Sequence, residues 1–242
     1  MRELEHDPAK ALGDKPVRVF VATPAYDGKV HTDYALSMVE SSMLALANGV
    51  RVEASIAANG AFIEVARNMF VKMFLDTDCT HLFFIDADLK WEPRAFLGLV
   101  MSGRPICAGV YPKREPKECY PVRYHEDGGG VQPFDGGWIP CERVPTGFLC
   151  IRRDVVEAMA EESPKWHLPE AHDVPRLFYT KITEEGGFVG EDYCFSDDFC
   201  EMFGEHIPVW PDYDFVHDGK PGNWHNFMNR CVEEEEAKRS AA

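Results

Sequence analysis

The run His81-Leu82-Phe83-Phe84-Ile85 limits what this chain can fold into more than any other stretch, because it is almost wholly apolar and stops abruptly on Asp86-Ala87-Asp88. Such a run reads as a buried strand whose end delivers two carboxylates. Its neighbours extend the pattern. Val17–Ala22 and Val50–Ala57 are rich in β-branched residues and read as strands, and Arg104–Val110 reads as another. Apolar spacing predicts helices over Thr32–Ala47 and Phe62–Leu75, with a third starting at Trp91-Glu92-Pro93 and ending near Met101. Strands alternating with helices imply an α/β fold with a doubly wound, mostly parallel sheet. In such sheets functional groups gather at the carboxyl ends of the strands, where Asp86 and Asp88 lie.

The second half is less regular. Residues 115–142 are rich in Gly, Pro and aromatics, and Gly128-Gly129-Gly130 and Gly136-Gly137 mark turns between short strands. Val144–Ile151 reads as a strand interrupted at Thr146-Gly147, Arg153–Ala160 as a helix, and 163–188 as a long loop or hairpin. A helix over Glu191–Phe203 and a strand pair from Ile207 to His217 complete the domain. The expected organisation is a loose arm at 1–16, a single domain at 17–232 and a charged tail at 233–242. Within the domain, 17–113 would form a nucleotide-binding half and 114–232 an acceptor half, with a smaller antiparallel part of the sheet on the acceptor side.

With 242 residues, 45% of them hydrophobic, the chain can fill one large core. Its net charge of −16 repels nucleic-acid phosphates and anionic membranes at long range. The same acidity demands a metal ion or a tight basic cluster wherever a diphosphate binds. None of the eight cysteines forms a CxxC pair, and several lie in apolar runs, so they read as buried free thiols in a reducing compartment. The start of the chain lacks the apolar core of a signal peptide, and no apolar run approaches membrane-spanning length. A cytoplasmic protein with no membrane partner is the expectation.

Strand side chains alternate faces, so Asp86 and Asp88 point the same way if the strand extends through them. They could then share a Mg²⁺ or Mn²⁺ ion and leave its other positions to phosphate oxygens and water. Taken alone, Asp-x-Asp reads equally as a polar loop capping the next helix. Arg67, near the start of the preceding helix, could touch a nucleotide, orient an aspartate or form a surface salt bridge. Glu191 and Asp192 open a helix, where its dipole favours acids, and either could be a general base. His217 ends an apolar strand and could be a third metal ligand or a structural histidine. Lys113 and Arg114 could bind a diphosphate or be an exposed basic pair. Thr146-Gly147 permits a close backbone approach or marks a bulge.

Taken in order, Val19–Pro24, Ala66-Arg67-Asn68, Phe83–Asp88, Pro145–Phe148, Gly190-Glu191-Asp192 and Val216-His217 resemble the GT-A glycosyltransferases, near the family 2-like members of bacteria and phages. The resemblance covers roughly residues 17–219. It implies a Rossmann-like GT-A fold and a hexosyltransferase-like activity from a nucleotide-sugar, expected to be a UDP-sugar, to a hydroxyl acceptor. Thr23 and Pro24 would line the nucleotide pocket. Asp86 and Asp88 would form the DXD metal motif, with Asp88 the more direct ligand of Mn²⁺ or Mg²⁺ and His217 completing the set. Gly147 would lie near the sugar, and Asp192, beside Glu191, would be the base of an inverting reaction. A phage-encoded member would act in the host cytoplasm. The acceptor stays open among a glycan, a protein, a small molecule and a modified nucleobase. The basic acceptor motif of processive polysaccharide synthases is missing. Two other readings remain: a nucleotidyltransferase of similar fold, and a catalytically silent module that binds a glycan or a partner. The first strand's loop, Thr23–Gly28, lacks the Gly-rich, Arg-containing form usual in the nucleotidyltransferases.

Overall fold

In this computed structural model the described residues are 1–58, 62–125, 132–168 and 171–240. A short helix, α1 (Pro8–Leu12), precedes β1 (Arg18–Ala25). Helix α2 (Thr32–Ala47) leads into β2 (Arg51–Ala58), and α3 (Ile63–Leu75) into β3 (His81–Ile85). After the short strand β4 (Leu89–Trp91), α4 (Pro93–Met101) leads into β5 (Ile106–Gly109). Next come β6 (Arg123–Tyr124), β7 (Ile139–Arg143), β8 (Phe148–Arg152) and α5 (Arg153–Glu162). Two antiparallel pairs follow, β9 (Lys165–Leu168) with β10 (Ala171–Pro175), and β11 (Lys181–Ile182) with β12 (Phe188–Val189). The chain ends with α6 (Glu191–Phe203), β13 (Ile207–Trp210), β14 (Asp214–His217), β15 (Lys220–Asn223) and α7 (Trp224–Ser240).

The central sheet has the order β2-β1-β3-β8-β5-β13-β7-β6. Six of its eight strands run one way; β8 and β7 run against them. The mostly parallel α/β expectation holds, with one modification. The crossover from β3 to β5 leaves a strand-wide gap, which β8 fills antiparallel to both neighbours. Alternate residues feed two cores. Phe20, Leu82, Phe84 and Leu149 face one side, packed with Phe70 of α3, Val155 of α5 and Phe199 of α6. Val21, Phe83, Ile85 and Cys150 face the other, packed with Tyr34 of α2 and Phe96 of α4. Every residue of β3 is buried, as a strand covered by helices on both faces must be.

Several expectations need correction. Trp91 does not begin a helix: Leu89-Lys90-Trp91 is a strand paired with β14, and the helix opens at Pro93, whose fixed φ and missing N–H suit the first helical position. The strand expected at 144–151 begins only at Phe148, and β7 is separate from it. Strands β13 and β14 do not pair. The first joins the central sheet, whereas the second sits between β15 and β4 in a three-stranded sheet. The 1–16 segment is tied to the body, since Arg2 N–H donates to the Met202 carbonyl and the buried Arg152 donates to the Glu5 carbonyl. The Gly128-Gly129-Gly130 turn lies outside the described residues. All eight cysteines are unpaired and five are buried. Among the described residues no helix is long and apolar enough to cross a membrane.

Candidate functional site

The chain crosses from β1 outward to β2, then returns past β1 to β3, so a crevice opens where the connections diverge, at the carboxyl ends of β1 and β3. A cleft of about 500 Å³ occupies it, lined by Pro24, Tyr26, His31, Arg67, Asp86, Asp88 and Arg114 among others. Two hollows of about 800 Å³ lie elsewhere, one beside Arg176 and Tyr179, the other beside Trp210 and Phe227. The first also carries charged groups, among them Arg2, Glu161, Arg176 and Asp198, but neither lies at the carboxyl ends of β1 and β3.

Strand β3 ends at Ile85, so the alternation that would aim Asp86 and Asp88 together is broken by the turn that follows. The two carboxylates face different partners. Tyr111 donates its hydroxyl hydrogen to Asp86 Oδ2 at 3.0 Å, and Arg67 Nη2 donates to Asp86 Oδ1 at 3.5 Å. Asp88 Oδ2 instead lies 3.5 Å from His217 Nε2. Asp86 is also held through the backbone, its N–H donating to the Gly147 carbonyl at 3.0 Å. A Cβ on Gly147 would come within 2.1 Å of both Asp86 Oδ2 and the Tyr111 hydroxyl. Glycine is required there by the Asp86 carboxylate and the Tyr111 ring, the close approach being to the protein itself. Next to it, the buried Thr146 hydroxyl has no hydrogen-bond partner among the described residues.

Arg67 is the hinge of the acidic network. It is buried at the first turns of α3, and its Nη1 donates to Glu191 Oε1 at 2.6 Å while Nη2 reaches Asp86. Burial works against its charge, but Asp86, Glu191 and Asp192 more than restore it, so its pKa ends above the ordinary value. Asp192, half-buried at the start of α6, makes no ion pair among the described residues, and its Oδ1 accepts from the Tyr193 N–H at 2.9 Å. Burial pushes its pKa up to about 6, with Glu191 and Asp86 adding to the effect and Arg67 opposing it. Burial first, then the Asp86 charge, drives the Tyr111 hydroxyl well above its ordinary value, so it stays a donor.

On the opposite side, the His217 ring is fixed by a 2.7 Å hydrogen bond from Nδ1 to the Pro112 carbonyl, which leaves Nε2 as the lone-pair nitrogen facing Asp88. Burial lowers its pKa, the Pro112 bond opposes that, and Arg114 adds to it, so the ring is neutral near pH 7. The guanidinium of Arg114 fills the space between them: it contacts Asp88 Oδ2, and its Nε is 3.2 Å from His217 Nε2. Asp218 Oδ2 is 3.9 Å from the same Nε. A cation therefore already sits between a carboxylate and a neutral imidazole whose second nitrogen is held by a carbonyl, the usual support of a metal-binding histidine. Asp88 offers an oxygen donor and His217 a nitrogen donor that a divalent ion such as Mn²⁺ could share.

The anticipated residues divide as follows. Asp86, Asp88, Arg67 and Pro24 line the cleft; Glu191 and Asp192 join it through Arg67; His217 meets Asp88. Thr23 is fully buried, its hydroxyl 2.5 Å from that of Tyr34, so it ties β1 to α2 and does not line the pocket. Lys113 turns away toward Glu115 at 3.8 Å, and Arg114 is the base that enters the cleft. Two aromatic residues went unnoticed in the sequence. Tyr111 is one, since nothing local marks a hydroxyl meeting Asp86; the other is Tyr26, 78% exposed on the cleft rim. Among the described residues the group of three ligand-type atoms within 4.8 Å of one another is not in the cleft: it is Glu53, Asp78 and Cys79, at the amino end of β1, where Arg18 bridges the two acids.

No protein-family model matches the chain, and no curated protein does. Among solved structures it is similar to GalNAc-T7 with UDP, GalNAc and Mn²⁺, at 11% identity and a TM-score of 0.44 over 85% of this chain and 44% of that one. The chain thus spans less than half the length of that protein. It is also similar to the inositol-1-phosphate CTP transferase from T. maritima, at 11% identity and a TM-score of 0.42 over 84% of this chain and 89% of that one. Likenesses at this level do not decide the chemistry, which has to come from the cleft itself.

Proposed function

We propose that the protein is a metal-dependent glycosyltransferase that moves a sugar from a nucleotide-sugar, a UDP-sugar in the first instance, to a hydroxyl acceptor. The observation that carries this reading is the cation of Arg114 held between Asp88 and the neutral His217, in a cleft also lined by Arg67 and Asp86, with Glu191 bonded to Arg67 and Asp192 next to it in the chain. One end suits a diphosphate with its metal; the other carries a carboxylate poised to accept a proton.

Asp88 and His217 would hold the divalent ion, with Asp86 nearby and Arg114 displaced toward the phosphates. When bound, the ion neutralises the charge that grows on the departing diphosphate. Tyr26 offers an exposed ring on which a nucleobase can stack. Asp192 takes the proton of the acceptor hydroxyl as its oxygen bonds to the anomeric carbon, and the bond from that carbon to the diphosphate breaks with its electron pair on the nucleotide. A base with a pKa of about 6 is largely ionised at neutral pH yet stronger than an ordinary aspartate. Arg67 is a positioning residue that holds Asp86 and Glu191 in place.

The test is a thermal-shift screen of nucleotide-sugars with Mn²⁺ and with chelator, followed by assay of nucleoside diphosphate release with the stabilising donor. Stabilisation that needs the metal and is lost in Asp88→Ala is expected. A donor that stabilises equally in chelator would overturn the reading, and release of pyrophosphate would transfer it to a nucleotidyltransferase.

A further inference from the structure

Helix α2 is built inside out. Its buried residues are Tyr34, Ser37, Ser41 and Ala45. The two serines serve Trp91, whose indole N–H donates to Ser41 Oγ at 2.9 Å and whose backbone N–H donates to Ser37 Oγ at 3.2 Å. Four apolar side chains face outward: Leu36 is 57% exposed, Val39 59%, Met43 68% and Leu46 69%. Isolated exposed apolar residues need no explanation, but these four follow one another at steps of three, four and three along a single face. That is the spacing of a coiled-coil seam, in which the side chains of one helix fit between those of another.

We infer that this face is a self-association surface, and that a second copy of the chain docks on it through its own α2. A seam with heptad spacing is complementary to itself, so a two-fold axis can bring the same four residues of both copies together. The four side chains expose on the order of 450 Å², at the upper end of the largest apolar patch a monomer usually carries. Covering both copies, with the flanking Ala35 and Ala47, removes about 1,000 Å² in total, enough for a weak but specific dimer. Charge argues against a membrane as the occupant. The helix bears Asp33 and Glu40 and no lysine or arginine, and the whole chain carries −16, whereas surface-seeking helices are basic on their polar face. The same acidity gives the dimer a signature: copies that repel each other at long range associate more tightly as salt is added.

The experiment is sedimentation velocity of the full chain from about 1 to 200 µM at low and high salt, the range in which an interface of this size is populated. Wild type is expected to pass reversibly from monomer to dimer, more readily in high salt. Val39→Glu with Met43→Glu is expected to be monomeric throughout with an unchanged melting temperature, since both positions are exposed. Val39→Ser with Met43→Ser, a milder pair, is expected to weaken the dimer at least tenfold. A wild-type chain that stays monomeric at the highest concentration overturns the proposal, as does a dimer that survives both double substitutions. Flotation with neutral or anionic vesicles that the glutamate pair abolishes would assign the face to a membrane and overturn it equally.

Discussion

Replacing Asp192 with asparagine is expected to make the protein more stable and much less active. The carboxyl of Asp192 has a pKa of about 6 in the fold against an ordinary 3.8, so folding opposes its ionisation. A group with a raised folded pKa contributes stability that is fully present below the unfolded value and lost as pH rises through the folded one. Two units correspond to about 3 kcal/mol, and because Asp192 is only half-buried, roughly 2 kcal/mol is the expectation. Asparagine keeps the shape and removes the charge. In a chain of this length the variant is expected to melt about 5 °C above wild type near pH 7.5. The gap should narrow as pH falls below 6 and close below about pH 3.8, where Asp192 is neutral in the folded and the unfolded chain alike. Melting curves across that range, taken in chelator, provide the measurement. A variant no more stable than wild type at neutral pH, or a gap unchanged on acidification, would show that the fold does not resist this carboxylate. Lost activity alongside gained stability is what a strained functional residue produces, whereas a structural one would lose both.

Four further outcomes follow from the same cleft. Activity of the wild type is expected to fall roughly tenfold from pH 7 to pH 5 as Asp192 takes up a proton, measured as kcat/KM with saturating Mn²⁺. Arg67→Met removes the cation between Asp86 and Glu191; it should cost about 3 kcal/mol by chemical denaturation and move that acid limb to higher pH, because Arg67 holds the Asp192 pKa down. Gly147→Ala drives a methyl into the Asp86 carboxylate and the Tyr111 hydroxyl, and a loss of about 2 kcal/mol with near-complete loss of activity is expected. His217→Ala should weaken Mn²⁺ binding at least tenfold by calorimetry while leaving the melting temperature of the metal-free protein nearly unchanged.

Much of this was legible in the sequence wherever the signal is local. Strand β3 announces itself through unbroken apolarity, α6 through Gly190 followed by two acids, and the turn after β3 through its aspartates. Where pairing partners lie far apart, the chain says little. Nothing in Phe148–Arg152 tells that it will lie between β3 and β5 and run against both. Leu89-Lys90-Trp91 is too short for its alternation to outweigh the helix-starting proline that follows. Arg67 and Glu191 are 124 positions apart and meet only because α3 and α6 cover the same face of the sheet. The choice between Lys113 and Arg114 depends on which way one backbone turn faces, and adjacent bases look alike in a sequence.

The position of β8 bears on how the protein can be taken apart. A polypeptide ending at residue 113 would own β1, β2, β3 and β5, yet β3 and β5 never touch; each hydrogen-bonds to β8 across the space between them. Such a fragment would present two naked strand flanks to other chains, an invitation to aggregate. During synthesis the sheet cannot close until Arg152 has emerged. The portions before and after residue 113 are therefore stitched through each other, and attempts to re-engineer the protein by exchanging one portion wholesale are expected to fail. Exchange confined to the loops beyond the carboxyl ends of the strands leaves that stitch intact.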